Sequence, residues 1–142
     1  MVGGSCGHIE DLPVPSRRII DEARRAFLTT LGLEGRPHTV PVCFALRAGD
    51  VVIPIDHKPK SGRRLERLRN IEANPAVSLA IDRWDEDWSR LGWVMVQGEA
   101  TIEREDRAPQ ELLNRYTQYA QHPPRGELIV VRPRRALWWS AV

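Results

Sequence analysis

The sequence predicts a mainly β protein with attached helices (α+β): a small, closed or nearly closed antiparallel barrel of six or seven strands and two or three helices. Three observations carry this. "HTVPVCFALR", residues 38–47, alternates so that Val40, Val42, Phe44 and Leu46 share one face. "GWVMVQGEATIERE", residues 92–105, reads as one long strand. Only three stretches space their apolar residues as helices do. So many strands in a short chain leave many unpaired edges, which closure of the sheet removes.

The elements follow in order. Ser16 is a candidate N-cap for a short helix through "RRIIDEARRAF". "AFLTTLGL" reads as a strand and "EGR" as the turn after it. "HTVPVCFALR" is the clearest strand, and "AGD" turns into another, "VVIPID". Leu65, Leu68 and Ile71 give the next helix a buried stripe, and Asn74-Pro75 stops it. "AVSLAID" is a strand and "RWDEDWSRL" a tight turn. In the long strand that follows, Gly98 marks a candidate bulge. Residues 106–121 read as one helix with Leu112, Leu113, Tyr116 and Tyr119 toward the core, and "HPPRG" breaks it. "ELIVVRPRRALWWSAV" supplies one or two last strands around Pro133.

The chain has 142 residues, which suits a single domain spanning 16–142 behind a flexible, Gly- and Pro-rich lead-in, residues 1–15. Hydrophobic residues make up 42% and charged residues 28%, as in ordinary globular proteins. No apolar run approaches the length of a membrane span, and the first fifteen residues lack the pattern of a signal peptide. Cys6 and Cys43 sit in unlike contexts, so a disulfide framework is not expected and a reducing cytoplasm is the default. A net charge of +2 does not by itself call for nucleic acid, and no aromatic residue is interleaved with the cations.

The charge is nonetheless concentrated. "DHKPKSGRRLERLRNIEANP", residues 56–75, carries Lys58, Lys60, Arg63, Arg64, Arg67 and Arg69, with Glu66 the one acid between Lys58 and Arg69. A charge run is usually a solvated helix face. Here Arg63 and Arg64 are expected in the helix's first turn, where the macrodipole disfavours cations unless an anion binds. Ser61 and Gly62 offer backbone N–H groups at the same place, and Arg67 extends the patch. The chemistry suggests the phosphate-bearing tail of a ligand. On the strand before it, Thr39, Pro41, Cys43 and Ala45 form a face of small side chains that a flat ring can approach, or that a neighbouring strand or subunit can cover.

"GRPHTVPVCFAL", "DHKPKSGRRLERLRNIEANPAVSLAID" and "DEDWSRLGWVMVQGEATI" together resemble the pyridoxamine-phosphate-oxidase-like split β-barrel superfamily. Within it they are similar to the branch of deazaflavin (coenzyme F-420)-dependent oxidoreductases. The similarity runs from about residue 24 to "LWWSA". It implies a homodimer with the site at the interface and hydride transfer between F-420 and a small organic substrate. By resemblance, Lys58, Lys60, Arg64 and Arg67 contact the tail, with Ser61 beside them, and Thr39, Val40 and Pro41 border the ring. FMN is the alternative cofactor, and a non-catalytic flavin- or haem-binding module the alternative role. One phosphate would leave several of these cations without a partner, which favours the more anionic F-420 tail. The branch tends to carry paired tryptophans where this chain has Gly92-Trp93, a departure expected to widen the pocket.

No catalytic acid, base or nucleophile stands out. His8, His38, His57 and His122 lack partners at metal-ligand spacing, so no metal site is expected. Asp85, Glu86 and Asp87 read as a turn, Cys43 as a packed strand residue, and the five tryptophans as core or interface residues. No membrane partner is expected.

Overall fold

The computed structural model describes residues 2–55 and 62–141. Among them eight strands form one antiparallel sheet: β1 (Val2–Cys6), β2 (Ala26–Leu31), β3 (Pro37–Val42), β4 (Ala45–Arg47), β5 (Asp50–Pro54), β6 (Ala76–Arg83), β7 (Gly92–Glu105) and β8 (Gly126–Ser140). Four helices accompany them: α1 (Val14–Glu22), α2 (Glu66–Ala73), α3 (Gln110–Arg115) and α4 (Thr117–Gln121). The strand order is β3-β2-β6-β7-β8-β5-β4, with β1 also on β8. The two ends of that order, β3 and β4, are joined by only Cys43 and Phe44. A connection that short brings the two ends of the order to one corner without pairing them, so the sheet curls into a barrel that stays split beside β3.

Alternation builds the interior. Leu28, Phe44, Ile53, Leu79, Val94 and Ile129 are fully buried in the main core, with Ile19 and Ile20 of α1 and Leu68 and Ile71 of α2 packed in. The α2 helix is anchored at its polar edge by Asn70, whose Nδ2 donates to Thr30 Oγ1 at 3.0 Å. A second cluster lies beneath α3 and α4, where Ala45, Val52, Leu112, Tyr116, Tyr119 and Val130 meet. Strand β5 is therefore buried on both faces, Val51 and Ile53 toward one cluster and Val52 toward the other. This is why "VVIP" reads as an unbroken apolar run.

The structure departs from the expected elements in several places. Residues 2–6, expected as a loose lead-in, are paired as β1 with residues 136–140 of β8, and Ile9 and Leu12 beyond them are buried. Helix α1 starts earlier than expected, at Val14 behind Pro13, with Pro15 in its first turn. Ser16 is thus inside the helix and buried, and caps nothing. The 38–47 strand is broken at Cys43-Phe44 into β3 and β4, and this break together with β1 makes eight strands where six or seven were expected. The single helix over 106–121 is two, because Tyr116 has extended backbone angles. The last stretch is one strand, since the shift at Pro133 is absorbed by a bulge.

The break at Tyr116 has a use. Its hydroxyl accepts a bond from the backbone N–H of Phe44 at 3.1 Å and donates to the Arg24 carbonyl at 3.2 Å. The preceding Arg115 donates to the carbonyls of Ile20 (2.7 Å) and Ala23 and lies over the Phe44 ring. Two residues thereby satisfy the open end of α1 and pin the β3–β4 connection. No described helix is long and apolar enough to cross a membrane.

Candidate functional site

Strand β3 is an end strand of the sheet order, paired to β2 along one side. Thr39 and Pro41 are exposed on it, facing outward opposite Thr29 and Phe27, and Thr39 Oγ1 sits 2.8 Å from Thr29 Oγ1. Pro41 has no N–H, which suits a sheet edge. Val40 points the other way and packs against the core, so it presents only backbone to this edge. Cys43 and Ala45, expected on the same small face, turn into the second cluster, Ala45 buried and Cys43 half-buried.

Two residues past Pro41, Cys43 joins the wall of a cavity of about 850 Å³. Its apolar floor is Ile55, Leu65, Leu68, Tyr116 and Tyr119. Its polar rim holds Arg64, Arg104, His122, Arg125 and Glu127. Ile55 and Arg64 stand on either side of the basic connection between β5 and α2, so the chain enters and leaves that connection at this wall. Lys58, Lys60, Ser61 and His57 lie outside the described residues.

The cations of the α2 region are placed differently from the expectation. Helix α2 starts at Glu66 with Leu65 as its cap, so Arg63 and Arg64 precede its first turn. The acid at the positive end is Glu66, the favourable arrangement. Arg64 is engaged twice: its Nε donates to Glu72 at 2.7 Å and its Nη1 to Glu127 at 2.9 Å. Bonds first from Glu127 and then from Glu72 raise the guanidinium's pKa, and the bond from Arg64 holds the Glu127 carboxyl below its usual range. Arg67 is half-buried on α2, and Arg69 is exposed and paired with Glu66.

The structure therefore brings Arg64 to the cavity and leaves Thr39 and Pro41 on the open edge beside it. It adds Arg104 and Arg125, which sequence reasoning missed. In the β7–β8 register Arg104 lies opposite Glu127, and Glu105 opposite Gly126. Only that pairing carries Arg104 to the end of the cavity where Arg125 enters β8. Among the described residues neither arginine forms an ion pair closer than 4.0 Å.

Gly92 does not widen a pocket. It is buried, and a Cβ there would lie 2.5 Å from Ile19 Cδ1 and 3.1 Å from the Trp139 carbonyl oxygen. The absent side chain makes room for α1 against β7.

No curated protein matches the chain. Solved structures share the fold. A conserved hypothetical protein from Mycobacterium tuberculosis superposes with a TM-score of 0.68 at 21% identity, covering 87% of this chain and 81% of the other. A protein described as an F420 reductase does so at 0.61 and 24%, covering 88% and 98%. A heme binding protein from Mycobacterium smegmatis gives 0.61 and 23%, covering 88% and 52%. The sequence model of pyridoxamine 5'-phosphate oxidase matches residues 16–140, nearly the whole barrel with its helices, and the chain belongs to that family.

Proposed function

We propose that the protein is an F-420-dependent oxidoreductase that passes a hydride to a small organic acceptor. One observation carries this: an exposed, small-residue strand edge, Thr39 and Pro41, continues through Cys43 into a cavity whose wall includes both ends of the basic connection. The donor set suits the cofactor. A flat ring needs an open backbone edge, and its anionic tail needs the Lys58, Lys60, Arg64 and Arg67 region. When bound, F-420 supplies the hydride-carrying ring. Thr39 and Pro41 border that ring without crowding it, the cations hold the tail, and the apolar floor keeps water from the acceptor. The structural likeness to an F420 reductase supports this reading.

The same reading includes a homodimer. Pairing places Phe27, Ala80, Met95 and Leu137 in one row across β2, β6, β7 and β8, with Trp93 beside Trp139. Trp84, Trp88 and Trp93 are 65%, 67% and 39% exposed. An apolar face of this kind marks an interaction surface, and a symmetric pair is the commonest way to cover it.

Titration of the purified protein with F-420 and with FMN, followed by fluorescence, tests the cofactor. We expect F-420 to bind the more tightly, to a protein that sediments as a dimer at micromolar concentration. Tight FMN binding with no response to F-420 would replace the cofactor. Binding of haem alone would make this a non-catalytic module, as the likeness to a heme binding protein would then suggest.

A further inference from the structure

We infer that the cavity is an organic-acid site, in which Arg104 and Arg125 select a carboxylate on an otherwise apolar molecule. As the place of the hydride acceptor, it rests on the cofactor reading above. As a binding site, it does not.

The cavity's rim arginines differ in what they offer. Arg64 is held by two carboxylates, Glu72 and Glu127, so its charge is already answered. Beside Glu127, Arg104 and Arg125 contribute two guanidinium groups with no ion pair closer than 4.0 Å among the described residues. The nearest lining acid is Glu127, which acts on Arg104 only through space and is hydrogen-bonded by Arg64. Gly126 keeps the rim compact beside Arg104: it has φ +93, and its missing Cβ would lie 3.2 Å from Arg104 Nη1. Planar guanidinium groups match carboxylates in shape as well as charge.

Beside this rim the floor is Ile55, Leu65, Leu68, Tyr116 and Tyr119. A hydrophilic, oligoanionic tail gains nothing from five apolar walls, whereas an apolar body gains from each. A volume of about 850 Å³ lies within the range of small-molecule pockets. An apolar body with one carboxylate is the chemistry that satisfies both floor and rim.

The probe is 8-anilinonaphthalene-1-sulfonate, whose fluorescence reports binding to an apolar site, displaced by decanoate or by decan-1-ol. The acid should displace it at least about tenfold more effectively than the alcohol, the value of one charge-assisted contact. In the double variant Arg104→Ala, Arg125→Ala, acid and alcohol should become equal, while the lysine double variant should keep most of the preference. Both arginines are exposed, so the fold should tolerate the change. Equal displacement by acid and alcohol in the parent, or an undiminished preference in the alanine variant, overturns the inference. Titrating the same proteins with F-420 and FMN separates the two ideas. Cofactor binding without acid preference removes the acid site alone, and arginine-dependent acid preference without cofactor binding removes the cofactor reading alone.

Discussion

Gly98→Ala is expected to lower stability by about 3 kcal/mol, at the upper end of the cost of overpacking. A Cβ at this position would lie 2.3 Å from the carbonyl oxygen of Arg132 and 2.9 Å from its carbonyl carbon. These are backbone atoms, so no side chain can swing aside. They belong to β8 at the point where its register with β7 shifts: Gln97 pairs with Arg135 and Gly98 with Pro133, leaving Arg134 over. The methyl would have to push apart the two longest strands. Gly7 is the matched control, with nothing within 4 Å of a built Cβ. Gly7→Ala should change stability by less than about 0.5 kcal/mol. Urea midpoints of the two variants check the contrast. Equal midpoints would show that the bulge yields without cost.

The second large effect is expected on cofactor affinity. Lys60→Ala and Arg67→Ala should each weaken F-420 roughly tenfold to hundredfold, the value of a charge-assisted contact of about 1.5–3 kcal/mol. At Arg64 a ligand must compete with Glu72 and Glu127, so Arg64→Ala should fall at or below the low end of that range. Arg69→Ala, which removes only an exposed pair with Glu66, should cost nothing measurable. The Arg64 competition should hold across the neutral range. Glu127 has a lowered pKa, so its pairing is complete above the ordinary carboxylate value and is lost only as pH falls through the depressed one. Fluorescence titration of the four variants decides the matter. If Arg69→Ala proves the worst, or if Lys60→Ala and Arg67→Ala bind like the parent, the basic stretch is a solvated helix face.

What could be read from the sequence was whatever a regular period writes into it. Val40 and Val42 alternate with Thr39 and Pro41, and the Leu68–Ile71 stripe marks the inner face of α2. Strand β1 carries no such signal. "VGGSC" is nearly devoid of apolar side chains and is exposed along most of its length, because it joins the sheet through backbone bonds, with only Cys6 packed against the core. Ser16 resembled a cap because Ser is the usual capping residue, but the Pro13 and Pro15 pair fixes the start of α1 first. Arg104 and Arg125 stand 21 residues apart in the chain, and only the β7–β8 register makes them neighbours. No local reading of charge could have joined them to the stretch at 56–75.

The position of β8 has a consequence for the order of assembly. One side of it pairs with β7 along its whole length, while the other is shared by β5, over Leu128–Val131, and β1, over Ala136–Ser140. The β7–β8 pair is closed by residues 106–125, which fold as α3 and α4, whereas β1 must return across nearly the entire chain to bring Val2 to Ser140. Closure entropy makes that contact the last to form and, with four of its five residues exposed, the first to open. Amide hydrogens of residues 2–6 should therefore exchange well before those of β7, and equal protection would contradict this sequence of events. Each time β1 lifts away, residues 136–140, Trp138 and Trp139 among them, become a bare sheet edge on which a foreign strand could grow. The chain's first strand thus acts as the guard against its own aggregation.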